Sequence, residues 1–255
     1  IIKGHIVGGK PYAKVASKKD YYELIGKQQR VALEFGGIID PENIEEYLEV
    51  GGYSSLKHVL KTYKPKEVIE EIKKSGLRGK GGGGFLTALK WEIAANKESD
   101  TRFLVVNGDE GNPASYMDRS VMEGNPNQML EGMIIAAYAM NATEGIIYTR
   151  ADYSIAVKRL TMAIEQAKER NLLGNNICGS GFNFEISIHQ GIEAFIGGES
   201  TALLSSIEGK RPFPKAQPPH SASKGLWGNP TSLNNAETYA TVAAIMREDR
   251  GAEWY

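Results

Sequence analysis

The spacing of apolar residues along the chain predicts short strands that alternate with helices. Two compact, β-rich apolar runs at 103–106 and 146–149 are typical of buried strands. Between 182 and 188, Phe and Ile alternate with polar residues, which predicts a half-exposed strand. Helices are predicted from Asp40-Pro41 onward, over 53–62, from Pro65 to Gly76, along Phe85, Leu89 and Ile93, within 117–140, over 154–170, over 200–208 and over 235–247. Strands that alternate with helices indicate an α/β fold.

The same pattern divides the chain into three parts. Residues 1–35 are irregular and carry a basic run around 18–27, so we expect an N-terminal arm. That arm is either a solvated linker or a docking surface for a partner. Residues 36–76 are predicted to form a helical lead-in, and residues 77–255 to form the α/β domain.

The composition is that of a globular protein with an excess of glycine. Apolar residues make up 41% of the 255 residues and charged residues 24%, which argues against global disorder. Glycine contributes 29 residues, well above its usual share of roughly 7%. The formal net charge of −1 gives no general attraction to nucleic acid or to anionic membranes.

The chain shows no targeting or membrane-spanning pattern. Its most apolar stretch, 133–140, is far shorter than the ~20 residues that cross a bilayer, and its start has no signal-peptide pattern. We therefore expect a cytoplasmic protein with no membrane insertion; a start at Ile1 rather than Met is what a fragment would show. The single cysteine, Cys178, excludes an intrachain disulfide and any all-cysteine metal site within these residues. We expect a structural or surface thiol there.

A run of glycines follows the third predicted helix. Gly79, Gly81 and Gly84 satisfy the G-x-G-x-x-G spacing, but the dinucleotide-binding fingerprint requires a strand immediately before them. The preceding segment, 66–74, has helical spacing instead, so we reject an ordinary Rossmann site. A phosphate loop of the Walker type would end in Gly-Lys-Ser/Thr, and this loop does not.

The glycine run still predicts a ligand-binding loop. Four consecutive glycines, 81–84, remove every Cβ, so a flat or phosphorylated ligand can lie directly on the backbone. The loop leads into a predicted helix N-terminus, which favours an anion, and Arg78, Lys80 and Lys90 add positive charge. An anionic-cofactor loop is the interpretation we prefer to a flexible surface turn.

Three further polar segments follow predicted strands or precede predicted helices. Asn107, Asp109 and Glu110 come directly after a buried strand, where ligands of open α/β sheets bind; the alternative is a solvated turn. The segments 197–201 and 231–238 each precede a predicted helix. For these two, helix capping by Ser200, Thr201 or Asn235 is the alternative to ligand binding.

In their order along the chain and in their residue sequences, these segments resemble a known family. The family is the FMN-binding, NADH-oxidising (51 kDa-type) subunit of respiratory complex I, with the related diaphorase (beta) subunit of soluble NAD(P)-linked hydrogenases and formate dehydrogenases, including electron-bifurcating ones. The resemblance covers roughly 30–255 and is closest to the soluble branch. The matching stretches are 75–91, 106–124, 130–151, 199–210, 218–219 and 225–238.

The resemblance implies an FMN-binding, Rossmann-like domain of the complex I 51 kDa type with a helical lead-in. The implied FMN-binding residues are Gly79, Lys80, Gly81, Gly82, Lys90, Asn107, Asp109, Glu110, Gly198, Glu199, Asn234, Asn235 and Thr238. Glu199 is the implied catalytic residue, which would tune the flavin and orient the nicotinamide.

The resemblance is weaker on the side of the dinucleotide. The implied NAD(P)-binding residues are Gly82, Gly83, Phe85 and Ser200. Ser200 stands where the family has a second Glu, which removes a charge that would repel a 2′-phosphate and leaves room for NADPH. Ile93, Asn112 and His220 also depart from the family pattern. Two interpretations stay open: a site retuned toward NADP(H), or a decayed site in a scaffold or electron-transfer subunit that keeps FMN.

The implied function is that of an FMN-dependent NAD(P)H:acceptor oxidoreductase, a diaphorase, that passes single electrons to iron–sulfur clusters. The ubiquitin-like and [4Fe-4S] domains of the family lie beyond residue 255, so we expect [4Fe-4S] and [2Fe-2S] clusters only in a missing C-terminal part or in partner subunits. The implied partners are a small [2Fe-2S] thioredoxin-like subunit and a hydrogenase or formate dehydrogenase catalytic subunit. No nucleic acid and no bound metal are expected.

Overall fold

A computed structural model describes residues 26–112, 114–191 and 195–255. Most of the predicted N-terminal arm, with most of its basic run, lies outside the described residues. The chain divides into two units, 1–30 and 31–255, and the fold below is that of the second.

Nine helices and four strands are described in this second unit. In chain order they are α1 (Ile44–Glu49), α2 (Ser54–Thr62), α3 (Pro65–Lys74), α4 (Thr87–Asn96), β1 (Phe103–Gly108), α5 (Asp118–Gly124), α6 (Pro126–Met140), β2 (Glu144–Arg150), α7 (Ser154–Glu169), β3 (Glu185–Gly191), α8 (Ser200–Ile207), β4 (Thr231–Asn235) and α9 (Ala236–Ile245). Short 3₁₀ turns lie at Ile177–Gly179, Phe195–Gly198, Leu226–Gly228 and Ala252–Trp254.

The four described strands form one parallel sheet in the order β3-β2-β1-β4. In the register of the sheet, Asn107 near the end of β1 lies opposite Tyr148 of β2 and Asn235 of β4. Parallel strands need crossover connections, and helices α5, α6 and α7 supply them between β1, β2 and β3. The predicted α/β fold is confirmed, and the carboxyl ends of β1 and β4 meet at one edge.

Helix α6 is the centre of the core. Nearly every one of its residues is buried, which explains why its sequence is apolar around the whole helix rather than along one face. Gly132 allows α9 to pack closely, because a Cβ there would overlap the carbonyl oxygen of Tyr239. Among the described residues, no helix has both the length and the apolar character needed to cross a membrane.

The lead-in helices pack onto the same core. Glu131 of α6 is buried, and its carboxylate accepts hydrogen bonds from the Tyr47 hydroxyl at 2.7 Å, the Tyr53 N–H at 2.9 Å and the Leu56 N–H at 3.0 Å. Burial raises the pKa of Glu131, while these hydrogen bonds oppose the rise. The predicted domain boundary after residue 76 stays a prediction, although one continuous apolar cluster includes residues from both sides of it.

Polar side chains that cap two helices set boundaries that the sequence pattern placed too early in one case and left open in the other. The helix predicted from Asp40-Pro41 begins only at Ile44, since the Asn43 side chain accepts from the Glu45 N–H at 3.1 Å. The pattern over 117–140 is two helices, which meet at Asn125; its side chain accepts from the Gln128 N–H at 3.3 Å.

The apolar spacing along Phe85, Leu89 and Ile93 predicts a helix but not its buried face. Helix α4 begins at Thr87, so Phe85 lies before it; Phe85 is 46% exposed and Ile93 41%. The buried face is Thr87, Ala88, Trp91 and Ala94 instead.

Two strands differ from the sequence pattern. The alternating strand begins later than predicted, at Glu185, while Phe184 pairs with Gly174 in an isolated bridge. Strand β4 was not predicted, because its five residues include a single apolar side chain, that of Leu233. Its polar residues are nevertheless mostly buried, since the strand pairs with β1.

Candidate functional site

The glycine loop is a closed backbone hairpin. Arg78 and Leu86 form an antiparallel bridge, and the Gly79 N–H donates to the Phe85 carbonyl at 2.9 Å. The Arg78 guanidinium donates to the Gly84 carbonyl at 2.8 Å. The segment before the loop is helix α3, so the strand required by the Rossmann fingerprint is absent at this described position.

One side of this loop lies against the junction of β4 and α9. A Cβ on Gly81 would approach Asn235 Oδ1 to 2.6 Å, so a larger residue would have to displace the Asn235 side chain. The Lys80 N–H donates to Thr238 Oγ1 at 3.3 Å. A Cβ on Gly79 would lie 3.8 Å from Asn234 Nδ2, so the first half of the loop lies against three polar residues of 234–238.

The other half of the loop faces open space. A Cβ on Gly82, Gly83 or Gly84 would meet no atom within 4 Å, and the φ angles of Gly82 and Gly84 are +93° and +60°. The left-handed backbone explains why residues 82 and 84 are glycines. The bare backbone of this half leaves room for a flat group to lie on it.

Two lysines bring positive charge to the loop. Lys80 Nζ donates to the Tyr255 hydroxyl at 3.0 Å, and this hydrogen bond raises the pKa of Lys80. Lys90 Nζ donates to the Leu233 carbonyl of β4 at 3.0 Å and lies 5.9 Å from the centre of the Phe85 ring. Burial lowers the pKa of Lys90.

Asn107 joins the end of β1 to the segment before α8. Its Nδ2 donates to the Gly198 carbonyl at 2.9 Å, and its Oδ1 accepts from the Asp109 N–H at 3.1 Å. Two segments that the sequence places about ninety residues apart therefore meet at the same sheet edge. Gly197 completes the contact, because a Cβ there would overlap the carboxylate of Asp109.

Asp109 carries a buried carboxyl group whose two oxygens have no hydrogen-bond partner. The nearest cation is Arg150, whose Nη1 lies 3.9 Å from Asp109 Oδ1. Burial raises the pKa of Asp109 to about 6, although Arg150 opposes the rise. An unpaired buried carboxyl group is costly, so it indicates a missing polar partner.

The carboxylates of Glu110 and Glu199 are engaged by the backbone. Glu110 accepts from the N–H groups of Met117 at 2.7 Å and Arg119 at 2.9 Å, where α5 begins. Glu199 caps α8 and accepts from the N–H groups of Thr201 at 3.0 Å and Ala202 at 2.9 Å. Burial alone would raise the pKa of Glu199, but the hydrogen bonds hold it below its ordinary value. The ligand roles of both residues stay predictions.

The suggested capping roles of Ser200 and Thr201 are wrong, whereas Asn235 does occupy the N-cap position of α9. Glu199 is the capping side chain of α8, because its longer carboxylate reaches the free N–H groups of the first turn. Asn235 stands at the N-terminus of α9 but makes no capping hydrogen bond with its side chain. The cap of α9 comes from Asp118, which accepts from the Glu237 N–H at 3.0 Å.

Asp118 was not predicted from the sequence, although it is buried beside the loop. Its Oδ2 accepts from Asn235 Nδ2 at 2.8 Å. Burial raises the pKa of Asp118 to about 7, and its hydrogen bonds to Asn235 and Glu237 oppose the rise. No local pattern could have found it, because both of its partners lie more than a hundred residues away in the chain.

The described residues fit a flat cofactor that carries a phosphate. The glycine loop offers bare backbone and nearby lysines, and the buried Nδ2 of Asn234 has no hydrogen-bond partner. Asp109 offers unpaired acceptors directly after β1, the strand next to β4. No group of His, Cys, Asp or Glu within the described residues is arranged to hold a metal ion. Cys178 is an exposed free thiol.

An α/β domain with a glycine loop over the carboxyl edge of a parallel sheet belongs to the class of nucleotide-type cofactor-binding domains. More particularly, the chain belongs to the family of Nuo51 FMN-binding domains, whose model matches residues 72–244. The resemblance inferred from the sequence is confirmed.

Relatives within this family are similar over most of this chain. The NADP-reducing hydrogenase subunit HndC of Solidesulfovibrio fructosivorans is 48% identical over 229 residues, which cover 90% of this chain and 46% of that protein. A subunit of the NADH-quinone oxidoreductase of Buchnera aphidicola subsp. Schizaphis graminum is 46% identical over 213 residues, which cover 83% of this chain and 47% of that protein. The chain thus spans about half the length of the curated relatives it matches.

A solved structure has the same fold. The crystal structure of an NAD+-reducing [NiFe]-hydrogenase in its H2-reduced state matches with a TM-score of 0.75 and 30% identity. The match covers 89% of this chain and 36% of that one. Similarity to formate dehydrogenases, and electron bifurcation, stay predictions.

Proposed function

We propose that this chain is the FMN-carrying part of an NAD(P)H:acceptor oxidoreductase, a diaphorase. The observation that carries the proposal is the glycine loop laid over the carboxyl edge of the sheet, with the unpaired Nδ2 of Asn234 beside the loop and the unpaired carboxyl group of Asp109 directly after β1. Membership of the FMN-binding family identifies the ligand that would pair with those atoms.

The residues of the loop and sheet edge have separate roles in holding FMN. Lys80, Asn235 and Thr238 surround the start of the loop and would hold the phosphate. Gly79, Gly81 and Gly82 would form the floor, with Lys90 beside it. Asn107, Asp109, Glu110 and Gly198 would hold the ribityl chain and the edge of the ring, with Asn234 nearer the loop.

When bound, FMN supplies the chemistry of exchanging a hydride with NAD(P)(H) and single electrons with iron–sulfur clusters. The chain's own residues bind and orient the reactants. Because backbone N–H groups hold Glu199 in its ionised form beside Gly198, it presents a fixed negative charge. We assign to that charge the orientation of the nicotinamide.

The dinucleotide would lie on the open half of the glycine loop. Gly82 and Gly83 leave that space free, and the exposed ring of Phe85 offers a stacking surface. Ser200 begins α8 with an uncharged side chain, which would not repel a 2′-phosphate as a carboxylate would. The relative described as NADP-reducing also supports the use of NADPH, so we propose that NADPH is accepted.

The implied partners follow from the relatives, which are subunits of hydrogenase and quinone-oxidoreductase assemblies. We propose that electrons leave to iron–sulfur clusters in such subunits, including a small [2Fe-2S] thioredoxin-like subunit and a hydrogenase or formate dehydrogenase catalytic subunit. A cytoplasmic location is part of this proposal.

The absorbance of the purified protein tests the proposal. We expect a flavin spectrum that is bleached under anaerobic conditions by NADPH, and by NADH, in stopped-flow measurements. In the same assay, Glu199→Gln should slow bleaching while FMN stays bound, and unchanged rates would contradict its role. A protein that binds FMN but is bleached by neither dinucleotide would instead be a scaffold or electron-transfer subunit with a decayed site. A protein that binds no FMN would overturn the proposal.

A further inference from the structure

Asp118 connects three elements at the phosphate end of the proposed FMN site. It is the first residue of α5 and is buried. Its Oδ2 accepts from Asn235 Nδ2 at the end of β4, at 2.8 Å, and its Oδ1 accepts from the Glu237 N–H in α9, at 3.0 Å. Both carboxylate oxygens are therefore used, and each holds a different part of the junction that the glycine loop contacts.

The carboxylate determines which end of the Asn235 amide faces the loop. An ionised carboxylate only accepts hydrogen bonds, so with Asp118 ionised the amide must turn its Nδ2 toward it, as the structure has it. Its Oδ1 then faces Gly81, where a Cβ would approach it to 2.6 Å. One of the two Nδ2 hydrogens is used by Asp118, and the other can be donated to a ligand.

A neutral residue could cap α9 but could not orient Asn235 in this way. Asparagine is as good a helix cap as aspartate, yet an asparagine that capped the Glu237 N–H would turn its own amide N–H toward Nδ2 of Asn235. Residue 118 is an acid although burial raises its pKa to about 7 and Glu110 and Glu237 add negative charge near it. Helix capping alone does not explain an acid in such surroundings.

We propose that Asp118 is a positioning residue that acts through Asn235 to set the glycine loop for the phosphate of FMN. The inference rests on the proposed function, because it assigns a ligand to the loop. It predicts that Asp118 governs how strongly the protein prefers FMN to riboflavin, which lacks the phosphate.

The test is the affinity of the Asp118→Asn variant for FMN and for riboflavin, measured by flavin fluorescence on the full chain. We expect binding of FMN to weaken about tenfold, or about 1.4 kcal/mol, and the preference for FMN over riboflavin to fall by a similar factor. Glu123→Gln is the matched control on the same helix, because that carboxylate pairs with Arg119 at 2.8 Å and not with Asn235. It should keep both affinities.

A double-mutant cycle separates positioning from a general loss of structure. If Asp118 acts through Asn235, Asp118→Asn should change FMN affinity less than twofold in an Asn235→Ala background. Additive effects would overturn the inference, as would an unchanged preference for FMN in Asp118→Asn alone. If the single Asp118→Asn variant fails to fold, the comparison between Asn235→Ala and the double variant still applies. In the double variant, alanine at position 235 removes one of the two amide N–H groups that would otherwise face each other.

The unaltered protein gives an independent measurement. A crystal structure with FMN bound should retain the hydrogen bond between Asp118 and Asn235, and Asn235 should contact the phosphate. A bound structure in which Asn235 has left Asp118 would overturn the inference but keep the proposed function. Absence of FMN binding by the unaltered chain would instead overturn the proposed function.

Discussion

At the scale of single residues, Asp109 is a buried polar group of the site that receives no hydrogen bond to its carboxyl oxygens from the rest of the protein. Its carboxyl oxygens lie buried without a hydrogen bond, while Asn107 accepts from its N–H group and Gly197 lies close against the carboxylate. Burial raises its pKa from 3.8 to about 6, with Arg150 lowering it and Asp152 raising it. Such groups at ligand sites commonly lower stability in exchange for function.

The pH dependence of stability should reveal this cost. Because the pKa of Asp109 is higher in the folded state than the ordinary 3.8, its contribution is favourable below pH 4 and is lost as the pH rises through about 6. The rise from 3.8 to about 6 corresponds to up to about 3 kcal/mol of stability. Asp109→Asn should therefore raise the free energy of unfolding at pH 8, measured by urea denaturation without FMN, and change it little at pH 4.

The exposed Asp100 is the matched control for Asp109, since the same Asp→Asn change there removes a solvated charge. Asp100→Asn should alter stability by less than about 0.5 kcal/mol at either pH. If Asp109→Asn were equally neutral at pH 8, the carboxyl group would carry no desolvation cost in the folded protein.

Candidate site residues were predictable where they follow a predicted strand or belong to the glycine run. Asn107 and Asp109 stand at the end of β1, and the sheet brings Asn235 of β4 to the same edge. The roles of Glu110 and Glu199 as backbone acceptors were not predictable, because they depend on which N–H groups the fold leaves free.

At the scale of elements, apolar patterning predicted three of the four described strands and most helices. It missed β4, whose buried residues are mostly polar. It placed the start of α1 too early, because the Asn43 cap moves that start to Ile44. It left open whether 117–140 forms one helix or two, which the cap at Asn125 decides. The apolar stripe along Phe85 and Ile93 indicated the wrong face of α4, because exposed apolar residues share the helical period with buried ones. Patterning also could not indicate which helices would contact each other.

The contact between α6 and α9 should reverse the usual effect of a Gly→Ala substitution in a helix. In an isolated helix, Gly→Ala stabilises by about 1 kcal/mol. At Gly132 the added Cβ would overlap the Tyr239 carbonyl oxygen, so the helices must separate. We expect Gly132→Ala to lower the free energy of unfolding by about 2 kcal/mol. Gly124→Ala, at the end of α5 where a Cβ meets no atom within 4 Å, should be neutral or stabilising. Equal stability of the two variants in urea would contradict the close packing.

At the scale of the whole molecule, the parallel sheet supports the site while the helical lead-in covers the core behind it. The α/β fold, and the family, could be predicted because ordered motifs span most of the chain. The position of the helical lead-in could not be predicted from the sequence, because it depends on a buried carboxylate of α6 that connects the lead-in to the core. Glu131 accepts from the Tyr47 hydroxyl and from the N–H groups of Tyr53 and Leu56.

The unfolding of Glu131→Gln tests whether the lead-in and the α/β domain form one cooperative unit. In the variant, the glutamine amide N–H would face one of the hydroxyl or N–H donors that bind the Glu131 carboxylate in the unaltered protein. Breaking a buried, charged hydrogen-bond network of this kind costs about 3 kcal/mol. We expect the urea midpoint to fall with an unchanged slope, in one transition by circular dichroism and tryptophan fluorescence. FMN affinity in native buffer should stay within about twofold, because no hydrogen-bond partner of Glu131 belongs to the proposed FMN site.

The exposed Glu144 at the start of β2 provides the control, and Glu144→Gln should shift the midpoint little. Two separate transitions would contradict a single unit and would favour the predicted boundary after residue 76.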